Sequence, residues 1–87
     1  MKILEIKNIV RKDFPIYYRR IYSSLAVIEL LGKLIEINVD FQFEHKPSGS
    51  KDLTITSIGQ VDYPLLPLKK ELIKIIVELD ARGQLPN

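Results

Sequence analysis

The chain has 87 residues, 46% of them apolar, no cysteine and a formal net charge of +2; that length supports one domain with a modest core. The lack of cysteine excludes disulfides, thiolate catalysis and cysteine-ligated zinc, and it fits a reducing, cytoplasmic location. No stretch approaches the roughly 20 uninterrupted apolar residues of a membrane span, and Lys2, Glu5 and Lys7 interrupt the N-terminal apolar run.

In chain order, residues 2–9 read as a strand with Leu4 and Ile6 on one side. Residues 16–31 read as a second strand, opening within "FPIYYRRIYSS". In extended conformation Tyr18, Arg20 and Tyr22 share one side of that run, and Tyr17, Arg19 and Ile21 share the other. Gly32 and Lys33 then suit the two central positions of a type II′ hairpin turn, glycine taking the first. The third strand, 34–45, is the clearest element: Ile35, Ile37, Val39, Phe41 and Phe43 alternate strictly with Glu36, Asn38, Asp40, Gln42 and Glu44. A Gly32-Lys33 loop sets Leu30 opposite Ile35, Ile28 opposite Ile37, Ala26 opposite Val39 and Tyr22 opposite Phe43. Ile21, Leu25 and Val27 then fall on the second face, with Glu29 opposite Glu36. The cluster "KPSGS" is a turn, and residues 51–60 form a fourth strand with Leu53 and Ile55 on one side.

After Asp62 the apolar period changes from two to between three and four. Leu65, Leu68, Leu72, Ile75, Ile76 and Leu79 mark the buried side of an amphipathic helix over 64–82, and Lys69, Lys70, Lys74 and Glu78 its wet side. Pro64 and Pro67 are tolerable only in a first turn, and Gly83 with Pro86 ends the helix. The expected fold is therefore α+β: an antiparallel meander of about four strands followed by one C-terminal helix on the sheet, β-β-β-β-α, as a single domain over 1–87. Ile37, Phe41, Phe43, Leu72 and Ile76 are the expected core. Surplus apolar surface remains on two elements, Ile21, Leu25 and Val27 on the sheet and Leu66, Ile73 and Val77 on the helix. Self-association as a homodimer through those residues accounts for it.

Catalysis finds little support. His45 is the sole histidine and ends a strand beside a turn. The acids Glu36, Asp40 and Glu44 form an alternating row, which is how a solvated strand face looks. "PSGS" has one glycine and no following Lys-Ser/Thr, so it is not a phosphate loop. "YPLLP" is better read as a helix start than as a proline-rich ligand. The reading is non-enzymatic, with no cofactor and no metal.

The basic charge is concentrated at the start of the chain: residues 1–22 hold six Lys/Arg against two Asp/Glu, and residues 23–45 one against four. Tyr17, Tyr18, Arg19, Arg20 and Tyr22, extended by Arg11 and Lys12, have the chemistry of a nucleic-acid surface, since guanidinium groups pair phosphates and phenol rings stack on bases. The expected function is thus a binding module, with single-stranded DNA or RNA as one candidate partner and a protein as the other. The structural alternative is that these bases simply answer Asp40 and Glu44 across the sheet.

The order of elements, with a basic-aromatic sheet and a tendency to pair, resembles the general plan of the Pur-alpha and Whirly types of single-strand binder. The resemblance covers the order of elements alone. It implies paired units that present curved sheets to unpaired nucleic acid. This chain departs from that plan in its low net charge and in the acids of its central strand, which would repel phosphate.

Overall fold

Strict alternation over Ile35–Phe43 requires a strand with one dry face, and the structure, a computed structural model, builds its sheet around that strand; residues 1–12 and 18–86 are described. The elements are β1 (Lys2–Lys12), β2 (Arg19–Leu30), β3 (Lys33–His45), β4 (Lys51–Ile58) and α1 (Leu65–Ala81). The four strands form one antiparallel sheet in the order β1-β2-β3-β4, and α1 follows them. This is the β-β-β-β-α arrangement that the change of apolar period implies.

The core lies between one sheet face and α1. Tyr22, Ala26 and Ile28 of β2, Ile37, Val39, Phe41 and Phe43 of β3, and Ile55 of β4 meet Leu68, Leu72 and Ile76 of α1. Leu65, in the first turn of the helix, stays largely exposed, so the buried stripe begins one turn later than the spacing suggests. The Tyr22 and Phe41 rings stack with centroids 5.1 Å apart, and Phe43 meets Phe41 edge-on at 6.3 Å, arrangements that suit the ring quadrupole. Ser24 is the one buried polar residue among those described, and its hydroxyl donates to the Val39 carbonyl at 2.8 Å.

Two details differ from the sequence reading. The β2–β3 turn is Leu31-Gly32, not Gly32-Lys33, with φ of 52° and 74° at its two residues. Positive φ at both central positions is the type I′ geometry, which follows the twist of the flanking strands. The register consequently slips by two residues, pairing Ile28 with Ile35, Ala26 with Ile37 and Tyr22 with Phe41. An even slip leaves every side chain on its own face. What it changes is the charge pattern: Glu29 moves off Glu36 to face Leu34, and Arg19 comes opposite Glu44. One like-charge pairing is removed and an opposite-charge pairing is gained.

The second difference is in β1, which pairs with β2 at the edge of the sheet. Its register shifts between Ile3 and Glu5 and again between Lys7 and Val10, where Asn8 takes a φ of 52°. Each bulge inserts an extra residue and breaks the period of two. Ile3, Ile6 and Ile9 therefore pack against the core, while Leu4 is exposed rather than sharing a side with Ile6.

At the start of α1, Pro64 is the N-cap and Pro67 sits in the first turn, where neither removes a helical hydrogen bond. At its end, Gly83 has a φ of 67°; its N–H donates to the Asp80 carbonyl and the Gln84 N–H to that of Leu79. This double closure is a Schellman motif, and glycine enters its left-handed position without a Cβ penalty. The chain then turns back, burying Leu85 in the core and bringing the Pro86 carbonyl within 3.0 Å of the Tyr22 hydroxyl.

Candidate interaction surface

Because α1 covers one face of the sheet, the other is left open, and among the described residues no element packs over it. Cross-strand pairing fixes its membership. Lys7, Val10 and Lys12 come from β1, and Arg19, Ile21, Ser23, Leu25 and Val27 from β2. Glu36, Asn38, Asp40, Gln42 and Glu44 come from β3, and Asp52, Thr54 and Ser57 from β4. The face is banded along the strands, with bases on β1, an apolar row on β2 and acids on β3.

Ion pairs connect the bands. Lys7 Nζ lies 2.5 Å from Glu36 Oε2, Lys12 Nζ 3.9 Å from Asp40 Oδ2, and Arg19 Nη2 3.7 Å from Glu44 Oε2. The first two reach from β1 to β3 over the apolar row, so their methylene stems shade Ile21, Leu25 and Val27, which are half-buried. The hydrogen bond and charge of Glu36 hold the Lys7 ammonium above its ordinary range.

The expected nucleic-acid residues do not form one surface. Tyr17 lies outside the described residues. Tyr22 is 0% exposed, a core residue whose hydroxyl donates to the Pro86 carbonyl and accepts from Arg20 Nη1 at 3.1 Å. Arg20 is on the core side as well. Its Nε donates to His45 Nε2 and its Nη2 to Asp80 Oδ1, both at 3.0 Å, and its guanidinium carbon stands 4.9 Å from the centre of the Phe43 ring. Lys51 donates to the second oxygen of Asp80 at 2.9 Å. Arg20, Asp80 and Lys51 together fasten the end of α1 to β2 and β4. Arg11 is half-buried in the core-side row, opposite Tyr22, whereas Lys12 and Arg19 are on the open face. Tyr18 is 45% exposed just before β2, with the Arg19 guanidinium 5.8 Å from its ring centre, and its carbonyl accepts the His45 N–H.

The expected interface residues divide as well. Ile21, Leu25 and Val27 are on the open face. Leu66, at 66% exposure, and Val77, at 48%, are on the outer flank of α1, and Ile73 is half-buried beside the core. Among the described residues no group of three or more His, Cys, Asp or Glu side chains could hold a metal ion, and no helix is long and apolar enough to cross a membrane. Reading the sequence missed Asp80, Lys51 and Lys7. Lys7 could have been found, because the acid row on β3 requires a basic row nearby. Asp80 could not, since its partner Arg20 lies 60 positions away.

Compared with known proteins, the chain matches the BB_0187 family over residues 1–81. No curated protein and no solved structure matches.

Proposed function

The chain belongs to the family that its residues 1–81 match, and we propose that it is a small, non-enzymatic, cytoplasmic interaction module whose working surface is the open face of its sheet. The observation that carries this reading is the row Ile21, Leu25 and Val27 at the centre of a four-stranded face that no described element covers. A chain of this size has few apolar residues to spare from its core, so an apolar row on the second face supports a partner there. The chemistry of the face favours a protein. Its bases Lys7, Lys12 and Arg19 are each paired with a carboxylate, and phosphate binding draws on cations that are not already neutralised.

A second reading, a single-stranded nucleic acid bound at one end of the sheet, is favoured by the exposed Tyr18 ring beside the Arg19 guanidinium. Such a pair could stack on a base while meeting its phosphate. One experiment tests both readings. A photoreactive residue is placed at Leu25, at Tyr18 or, as a control, at Lys74 on the wet side of α1, and the proteins are irradiated in cells. The expected result is a protein adduct from position 25 and none from position 74. A nuclease-sensitive adduct from position 18, with nothing from position 25, would replace the protein reading with the nucleic-acid one.

A further inference from the structure

We infer that the occupant of the open face is a second copy of this chain, laid face to face about a two-fold axis parallel to β2. The inference rests on the reading of that face as the working surface and names its partner from the order of the bands. Rotation by half a turn about an axis along β2 lays the apolar row of one copy on that of the other. It also exchanges left and right, so the basic β1 of each copy lies over the acidic β3 of its partner. A two-fold axis across the strands would set bases over bases and acids over acids. The charge pattern therefore selects one isologous arrangement and opposes the other.

Distances agree with this arrangement. Within one copy, Lys7 and Lys12 reach Glu36 and Asp40 across two strand spacings, about 10 Å of backbone separation, and two packed sheets also lie about 10 Å apart. Rotation about an axis parallel to the strands keeps each residue at its own height along them. Each lysine thus has a carboxylate of the partner at the same reach and offset as the one it already holds. Solvent screens these ion pairs, so exchanging them between copies costs little, and it uncovers Ile21, Leu25 and Val27 to meet their counterparts. The area is sufficient. The 12 residues of β2 at about 3.3 Å each, across four strands about 4.8 Å apart, give about 700 Å² per copy, close to the roughly 800 Å² per partner of a stable interface.

The test uses charge reversal and sedimentation. Wild type is expected at about twice the 10.1 kDa of one chain. Lys7→Glu with Lys12→Glu makes the face all acidic, and Glu36→Lys with Asp40→Lys makes it all basic. Each double variant is expected to sediment as a folded monomer by itself, and their equimolar mixture to recover the dimer. The axis is read separately, since the chain has no cysteine of its own. Lys7→Cys mixed with Glu36→Cys should form a disulfide between copies, and Lys7→Cys alone should not. Efficient cross-linking of Lys7→Cys to itself would overturn the axis. A wild-type monomer throughout the micromolar range would overturn self-association; a Leu25 photo-adduct whose mass is not that of two chains would then leave the interaction reading standing with a different partner.

Discussion

Asp80 shows how one side chain joins helix and sheet. Its carboxylate is 13% exposed and accepts from both Arg20 and Lys51. Partial burial by itself would raise the carboxyl, but the hydrogen bonds from Lys51 and Arg20 and the charges of both outweigh it, so Asp80 stays charged below the usual carboxylate range. A folded value below the unfolded one means that Asp80 stabilises the fold fully above about pH 4, the ordinary range. The contribution is then lost as pH falls through the lowered value. Asp80→Asn should cost about 1–3 kcal/mol at pH 7, because Arg20 and Lys51 lose a charged acceptor. The gap to wild type should hold down to about pH 5 and close on further acidification. Urea denaturation of both proteins at pH 7 and pH 3 measures it; an equal gap at both would mean that the carboxylate charge is not what holds Arg20.

Among the elements, the β2–β3 hairpin shows what a sequence can and cannot specify. The faces of both strands are legible because period two survives any even slip, which is why Ile37, Phe41 and Phe43 are buried as their spacing demands. Register is not legible from that pattern, since two turns two residues apart satisfy it equally. The choice falls to charges across the strands and to turn twist. The bulges of β1 have no signature in an Ile- and Lys-rich run, so Leu4 is misplaced by simple alternation. Tyr22 was legible in one respect, because alternation puts it in the apolar row opposite the phenylalanines, and it cannot at the same time serve an exposed basic surface. The observed turn has a testable consequence. Leu31 is 93% exposed and has a φ of 52°, a left-handed conformation that costs a residue with a Cβ about 1–2 kcal/mol. Asn-Gly is the preferred type I′ pair, so Leu31→Asn should stabilise the domain by about 1 kcal/mol, or about 4–8 °C in melting temperature. With a Gly32-Lys33 turn, position 31 would lie within the strand, and the same substitution would be neutral or harmful.

At the scale of the whole molecule, one helix and one sheet share a single core, and neither has another apolar surface on which to fold. Leu72 is 0% exposed at the centre of α1, and Leu72→Ala should cost about 2–5 kcal/mol through lost burial and a cavity. A chain of 87 residues has a total stability of about 4–13 kcal/mol at typical values per residue, so this one substitution removes a large share of it. The variant is therefore a sensitive gauge of whether a second copy contributes to folding. A partner that binds only the folded state adds stability that grows with its concentration, about 1.4 kcal/mol for each tenfold increase once the dissociation constant is exceeded. For Leu72→Ala, the melting temperature should thus rise by several degrees between 5 and 500 μM protein, taken as roughly a hundredfold range spanning common association strengths. Adding the open-face change Leu25→Asp should abolish that rise, since an aspartate in the apolar row is tolerated in water but not against a second copy. A melting temperature that is independent of concentration in Leu72→Ala would show that the sheet and helix fold without help from another chain. The apolar row of β2 would then be shaded only by the lysine stems of its own sheet.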